Sequence, residues 1–129
     1  MTRAEIEAVI ARVPGLNDEG VGLSSAHGKL THDERAALLT SNREALLNSG
    51  ADCAKVTAWL ATVEKAKTVN NRRDSYGLKH VMEAETGEYV SNGVFIAAAI
   101  HAGFPYWVEA GSINVPLGIA ERSLKGRRT

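Results

Sequence analysis

The chain has 129 residues, of which 15 are basic and 15 are acidic, so its formal net charge is zero. Apolar residues make up 44% and charged residues 23%, a globular balance that excludes a wholly disordered or collagen-like chain. No apolar run approaches the roughly 18 residues of a membrane-spanning helix, and an acidic amphipathic segment follows Met1. We therefore expect neither a membrane span nor a secretory signal. The single cysteine, Cys53, has no partner for an internal disulfide, which favours a reducing cytoplasm.

Charge is divided unevenly along the chain. Residues 1–64 carry 6 basic and 9 acidic side chains, and residues 65–129 carry 9 basic and 6 acidic ones. The basic excess is concentrated in two clusters: Lys65, Lys67, Arg72, Arg73 and Lys79, then Arg122, Lys125, Arg127 and Arg128. Such an asymmetry attracts an anionic partner in some proteins and is simply a solvated surface in others.

The front of the chain predicts two helices with clear starts. Thr2 and Glu5 have the spacing of a capping box, as do Thr31 and Glu34, and each pair precedes apolar residues at helical spacing. Residues 16–30 are rich in glycine and serine without clear periodicity, so we expect a loop between the two helices.

A third helix is predicted after the second. Gly50 is expected to end the second helix as a left-handed cap, and Asp52 to cap the third. The third helix runs into a polar and basic stretch, which we interpret as a connector. The predicted organisation is a helical N-terminal half over residues 1–66, a basic connector over residues 67–74 and a C-terminal half over residues 75–129, in one compact unit.

The C-terminal half begins with two more helices. Ser75 is expected to cap the fourth helix, which Gly87 ends, and Ser91 to cap the fifth. Residues 94–100 are apolar on nearly every side of the fifth helix. A helix of this kind is buried, so we expect it to be the central pillar of the core.

A β-hairpin is predicted over residues 106–119, where apolar residues recur with period two. Gly111-Ser112 offers a tight turn, and Trp107 alternates with the apolar positions. Pro116 cannot donate to a strand ladder, so it places the second strand at an edge. Such an edge could pair with a second copy of the chain, and the oligomeric state is left open. The fold class is thus mainly α with a small C-terminal β-hairpin (α+β), with helix-turn-helix-wing-like order in the second half.

Motifs for catalysis and cofactor binding are absent from the sequence. Gly22 and Gly28 are separated by five residues and Lys29 is not followed by a hydroxyl, which does not fit a phosphate-binding loop. The four histidines lack the spacing of a metal site, and Ser75 and Ser91 are explained as helix caps. We therefore expect a non-enzymatic protein with no cofactor, no metal site and no catalytic residue.

Three segments carry a resemblance to known proteins: S-Y-G-L-K-H at residues 75–80, Y-V-S-N-G-V-F-I-A-A-A at residues 89–99 and G-F at residues 103–104. Together they resemble a widespread group of small proteins encoded by phages and integrative elements of bacteria, mostly without an assigned activity. The resemblance covers roughly residues 70–120. It implies a mobile-element origin and a bacterial cytoplasmic setting, and it implies no catalytic residue.

Two functions remain open on the sequence. The leading hypothesis is nucleic-acid binding, mainly by backbone contacts. The residues predicted to form the interface are Lys65, Lys67, Arg72, Arg73, Tyr76, Lys79, His80, Arg127 and Arg128. On this hypothesis, replacing Arg72 and Arg73 by alanine lowers the salt slope of binding by about 2. The alternative is a phage or mobile-element effector that inhibits a host or defence protein through protein–protein binding.

Overall fold

The computed structural model describes residues 1–127 and has a mainly helical α+β fold, which confirms the predicted fold class. The helices are α1 (Arg3–Arg12), α2 (His32–Leu47), α3 (Gly50–Leu60), α4 (Ser75–Thr86), α5 (Asn92–His101) and α6 (Glu121–Leu124), with a short 3-10 helix at Ser25–His27. The strands are β1 (Leu16–Asn17), β2 (Gly20–Val21), β3 (Lys65–Asp74) and β4 (Pro116–Ile119). No helix within residues 1–127 is long and apolar enough to cross a membrane.

Helix α5 lies at the centre of the core, as the sequence predicts. Every residue from Asn92 to Ile100 is buried, as expected of a helix that is apolar on every side. Helices α1, α3 and α4 pack around it, and the ring centroids of Trp59 and Phe95 lie 6.0 Å apart. Both halves of the chain therefore contribute to one hydrophobic core.

Both predicted capping boxes are present. Thr2 Oγ1 accepts the N–H of Glu5 at 3.1 Å, and Glu5 Oε1 accepts the N–H of Thr2 at 2.8 Å. Thr31 and Glu34 make the same pair of bonds at 3.1 and 2.9 Å. These bonds satisfy amides that a helix N-terminus leaves open, so α1 and α2 begin where the sequence predicts.

The boundary between α2 and α3 differs from the prediction. Gly50 is the first residue of α3 rather than a left-handed cap of α2, which ends at Leu47. Asp52 lies inside the first turn of α3, where its carboxylate still favours the helix N-terminus. A Cβ atom on residue 50 would lie 2.5 Å from the carbonyl oxygen of Met1, which explains a glycine at the start of this helix.

The start of α4 also differs from the prediction. Asp74, not Ser75, is the N-cap, and its Oδ1 accepts the N–H of Gly77 at 2.9 Å. Ser75 is buried, and its hydroxyl oxygen accepts the N–H of Val115 at 3.0 Å. Ser75 thus joins α4 to the segment that leads into β4. The predicted caps of the α4–α5 turn are correct: Gly87 has φ +72°, and Ser91 Oγ accepts the N–H of Val94.

The predicted connector over residues 67–74 is a strand. It forms most of β3, which pairs antiparallel with β4. The register places Lys65 opposite Ile119, Asn70 opposite Leu117 and Asp74 opposite Pro116. Ten residues of β3 therefore face four of β4, and the register shifts between these pairs bulge β3 away from its partner.

The chain also turns back on itself within residues 106–119, as predicted. The N–H of Ser112 donates to the carbonyl of Glu109 at 3.3 Å around Gly111, whose φ is +80°. This bond closes the turn at the position that the sequence predicts.

Pro116 does not place β4 at an edge, in contrast to the prediction. The Pro116 carbonyl accepts the N–H of Trp107 at 3.2 Å, and the N–H of Gly118 donates to the carbonyl of Pro105 at 2.7 Å. Strand β4 thus has β3 on one side and residues 105–107 on the other, so the edge expected to mediate self-association is occupied. Pro116 is the first residue of its strand, a position where a missing N–H is tolerated.

The stretch predicted as a loop, residues 16–30, contains the small β1–β2 hairpin and is anchored to α5. Asn17 is fully buried. A Cβ atom on residue 93 would collide with the carbonyl of Asn17, and the N–H of Gly93 donates to the carbonyl of Asp18 at 3.0 Å. Gly93 is therefore required by the close approach of this hairpin to the first turn of α5.

Candidate nucleic-acid interface

Three of the predicted interface residues lie exposed on β3. Lys65, Lys67 and Arg72 are exposed and make no ion pair within residues 1–127. Thr68 and Asn71 of the same strand are exposed as well. We call these five residues the β3 surface. Because its three cations have no carboxylate partner, the surface is a positively charged strip.

Arg73 is on the same strand but is occupied. Its Nε donates to Glu121 Oε1 at 2.8 Å and its Nη2 to Glu121 Oε2 at 3.0 Å. Asn70 Nδ2 donates to Glu121 Oε1 at 2.8 Å. These hydrogen bonds, that from Arg73 first, lower the pKa of Glu121 to about 2. Arg73 therefore holds α6 against β3.

Arg127 is also held by other residues. Its Nη1 donates to Glu85 Oε1 at 3.0 Å and its Nη2 to the carbonyl of Thr62 at 2.7 Å. The guanidinium carbon lies 5.8 Å from the Trp59 ring centroid. Arg127 thus fastens the end of the described chain to α3 and α4. Arg128, the remaining predicted residue of this cluster, lies outside the described residues.

The three predicted residues on α4 are part of a separate cluster. Lys79 is only 4% exposed, and its Nζ lies 3.1 Å from Glu83 Oε2. The same Nζ lies 4.7 Å from the ring centroid of Tyr89 and 5.5 Å from that of Tyr76. His80 Nδ1 lies 3.2 Å from Glu83 Oε1. Lys79 is therefore enclosed and paired, and of the three predicted residues only Tyr76 and His80 are exposed to a partner.

Trp107 is the residue that the sequence-based site lacks. Its side chain is 61% exposed, and it lines a recess of about 390 Å³ together with Thr68, Val69, Asn71 and Glu109. The recess places an exposed aromatic ring beside the β3 surface. The sequence does not single it out: the period-two pattern sets Trp107 apart from Tyr106 and Val108, but Val108 is exposed as well.

The position of β3 is set by its contacts with β4 and with the residues that flank it. A Cβ atom on Gly118 would lie 2.7 Å from the carbonyl oxygen of Thr68 and 2.8 Å from the ring of Pro105. Beyond the strand ends, the N–H of Ala120 donates to the carbonyl of Glu64 at 2.9 Å and the N–H of Ser75 to the carbonyl of Val115 at 2.8 Å. This support fixes both ends of a bulged strand and leaves its middle exposed.

Groups that would support other chemistry are engaged in the fold. The Ser75 hydroxyl accepts a backbone N–H, and the Ser91 hydroxyl donates to Asp18 Oδ1 at 2.7 Å. Burial raises the pKa of the Cys53 thiol. In the part of the chain that the structure describes, no group of three or more His, Cys, Asp or Glu side chains is arranged to hold a metal ion.

Comparisons with known proteins found no relative of this chain. No protein-family model matches the chain, and neither a curated protein nor a solved structure matches it significantly.

Proposed function

We propose that the protein binds nucleic acid through the β3 surface, mainly by contacts with phosphates. The observation that supports this proposal is that Lys65, Lys67 and Arg72 are exposed on one strand without an acidic partner within residues 1–127. Cations that are already paired would have to break an ion pair before they could neutralise a phosphate. Unpaired cations release counterions from nucleic acid without that cost.

The proposed interface is smaller than the one predicted from sequence. It retains the three unpaired cations of β3 and excludes Arg73, Lys79 and Arg127, which are held by carboxylates. Three phosphate contacts give a slope of log affinity against log salt of about −2 to −3. Binding should therefore be weak at physiological salt and strong only at low salt.

The experiment is a fluorescence-anisotropy titration of labelled oligonucleotides at several salt concentrations. Replacing Lys67 and Arg72 together by alanine should reduce the magnitude of the salt slope by about 1.5. Arg73→Ala is the matched control on the same strand, and it should leave the slope nearly unchanged. Lys29→Ala is a second control, because Lys29 is exposed outside β3.

Two results would contradict the proposal. One is the absence of binding to every oligonucleotide at low salt. The other is a loss of salt slope in Arg73→Ala as large as that in the variant with Lys67 and Arg72 replaced, which would place the contacts elsewhere on the strand or in α6.

Protein binding is a second candidate function, and the cluster around Lys79 favours it. Tyr89 is 75% and Tyr76 is 49% exposed, and both rings flank the enclosed Lys79. Exposed tyrosines are typical of the residues that dominate protein interfaces. Capture from nuclease-treated bacterial lysate tests this function, with Tyr89→Ala as the variant that should lose the partner.

The resemblance to small proteins of phages and integrative elements supports a bacterial cytoplasmic setting for both functions. In that setting the nucleic-acid proposal is a mobile-element protein that associates with nucleic acid, and the second candidate is an effector that inhibits a host or defence protein. The buried free thiol of Cys53 is compatible with this setting.

A further inference from the structure

We infer that the nucleic acid bound at the β3 surface is single-stranded, with one base stacked on Trp107. This inference rests on the proposed function and specifies the class of its ligand. It is carried by the juxtaposition of an exposed indole ring, a recess and two unpaired cations.

Trp107 has a face available for stacking. Its side chain is 61% exposed, and within residues 1–127 no aromatic ring and no cation is stacked on it. Exposing a large apolar ring to water is unfavourable. A nucleobase offers a flat apolar surface of the kind that such a ring binds.

The recess beside Trp107 has the size and polarity for a base. Its volume of about 390 Å³ falls in the range of about 300–1,000 Å³ typical of small-ligand sites. Its polar side chains are those of Thr68, Asn71 and Glu109, and none of them makes a side-chain hydrogen bond to another described residue. These groups can therefore donate hydrogen bonds to the edge of a stacked base and accept hydrogen bonds from it.

The cations bracket the recess along the strand. Lys67 precedes Thr68 and Arg72 follows Asn71, so an unpaired cation flanks the recess-lining residues on each side. With a rise of about 3.3 Å per residue, the two cations are separated by up to about 17 Å of strand. A single strand that crosses this strip can contact both cations with its phosphates while one of its bases reaches Trp107.

A duplex fits this surface less well. Its bases are stacked on one another, so Trp107 would have no free base face. Reading a duplex groove normally requires a helix or ribbon with polar side chains, whereas α5 is buried from Asn92 to Ile100. On α4, the lysine is enclosed against Glu83, so this helix presents no exposed lysine to a phosphate.

The test compares one labelled sequence in three forms: single-stranded, as a duplex, and as an abasic single strand that keeps the phosphates. The protein variants are Trp107→Ala, Trp107→Phe and, as the exposed apolar control on the neighbouring residue, Val108→Ala. Circular dichroism establishes that each variant is folded. The intrinsic fluorescence of the unmodified protein provides a measurement without substitution, because Trp59 is 5% exposed and Trp107 is 61% exposed.

We expect the single strand to bind at least tenfold more tightly than the duplex or the abasic strand. Trp107→Ala should weaken binding of the single strand by roughly 5- to 100-fold, without changing the salt slope. Trp107→Phe should recover most of the affinity because it keeps an aromatic ring. Val108→Ala should bind like the unmodified protein, and the single strand should quench the tryptophan emission.

The outcomes separate this inference from the function on which it rests. The single-strand inference would be overturned if the single strand and the duplex bound equally well. It would also be overturned if Trp107→Ala did not change the affinity and the single strand did not quench the tryptophan emission. Either result would leave the β3 surface as a phosphate-binding site. Absence of binding to all three ligands at low salt would overturn both.

Discussion

The guanidinium of Arg73 on β3 meets the carboxylate of Glu121 on α6 through two parallel hydrogen bonds of 2.8 and 3.0 Å. Such a bidentate pair is among the stronger charged contacts in proteins. The pair therefore occupies Arg73, whereas the neighbouring Arg72 is exposed. On the proposed function, replacing both arginines should lower the salt slope by about 1 rather than 2.

The stability contributed by this pair should depend on pH. The pKa of Glu121 is lowered to about 2, from its usual 4.5, by hydrogen bonds from Arg73 and then Asn70. Its contribution to the free energy of unfolding is therefore fully present above pH 4.5 and is lost as the pH falls towards 2. Because 41% of the Glu121 side chain is exposed, we expect this contribution to be about 1 kcal/mol.

Urea unfolding of the unmodified protein and of Glu121→Gln measures this contribution. The variant should be less stable by about 1 kcal/mol at pH 7, and the difference should shrink between pH 4.5 and pH 2. Other carboxylates with lowered pKa values, such as Glu19 and Glu44, affect both proteins equally and cancel in the comparison. A difference that stays constant over this pH range would contradict the assignment.

Gly118 should tolerate no side chain. An added Cβ atom would lie 2.7 Å from the Thr68 carbonyl oxygen and 2.8 Å from the Pro105 ring, and neither a backbone group nor a proline ring can rotate away. We expect Gly118→Ala to lower the free energy of unfolding by about 2 kcal/mol. The measurement is urea unfolding at pH 7.

Gly77→Ala is the matched control for this substitution. Neither glycine has a positive φ, but a Cβ atom on Gly77 would meet only Asp74 Oδ1 at an ordinary 3.6 Å. Because alanine favours a helix over glycine, Gly77→Ala should raise stability by about 0.5 to 1 kcal/mol. If Gly118→Ala and Gly77→Ala changed the free energy of unfolding equally, the close contacts around Gly118 would not be the cause of its expected destabilisation.

The Lys79–Glu83 pair should be costly to break and irrelevant to phosphate binding. Lys79→Met leaves the carboxylate of Glu83, whose side chain is 17% exposed, without its lysine, and we expect a loss of about 2 to 4 kcal/mol in stability. Adding Glu83→Gln should recover part of this loss, since a glutamine oxygen can still accept the N–H of Val90 that Glu83 accepts at 3.2 Å. The measurements are unfolding and the salt dependence of nucleic-acid binding. A fall of about 1 in the salt slope of Lys79→Met would contradict the conclusion that Lys79 is enclosed and makes no phosphate contact.

Asn92 should not be replaceable by aspartate. Its Nδ2 lies 3.0 to 3.2 Å from three oxygens, those of the Glu19 and Ile113 carbonyls and Asn114 Oδ1. A carboxylate at this buried position would face three acceptors, so we expect Asn92→Asp to cost about 3 kcal/mol at pH 7. The cost should fall at low pH, because burial among acceptors raises the pKa of the new carboxyl and its protonated form can donate.

The exposed Asn71 is the control for Asn92→Asp. Asn71→Asp introduces the same charge on β3, where the side chain makes no hydrogen bond to another described residue. We expect its effect on stability to stay within about 0.5 kcal/mol. A similar cost for both substitutions would indicate a general effect of charge instead of the three acceptors around Asn92.

The sequence predicts those parts of the fold that depend on contacts within a few residues. Capping boxes at Thr2 and Thr31, the left-handed cap at Gly87 and the buried pillar α5 need only local spacing and composition. Strand β3 is different. Its polar residues lack period two because the register with β4 shifts twice, and the residues that pair with it lie more than 40 positions away.

The candidate site was predictable only as a group of basic residues. Spacing along the chain cannot distinguish Arg72 from Arg73, or show that Arg127 is paired, because the partners of Arg73 and Arg127 are 48 and 42 residues distant. Lys79 and Glu83 do have the i,i+4 spacing of a helical ion pair, but spacing does not show that the lysine is buried. Trp107 is near β3 only because β4 pairs with β3 on one side and with residues 105–107 on the other. Which cations stay unpaired is thus a property of the tertiary structure.

The pairing of β3 with β4 also determines when the β3 surface is completed during synthesis. Asp74 pairs with Pro116 and Lys65 with Ile119, so each residue of β3 is made at least 42 positions before its partner. At about 5–20 residues per second, this separation corresponds to roughly 2 to 11 s of translation. During that interval the nascent chain carries the cations of β3 without the strand that positions them, and it acquires the ordered strip only when the chain around β4 has left the ribosome.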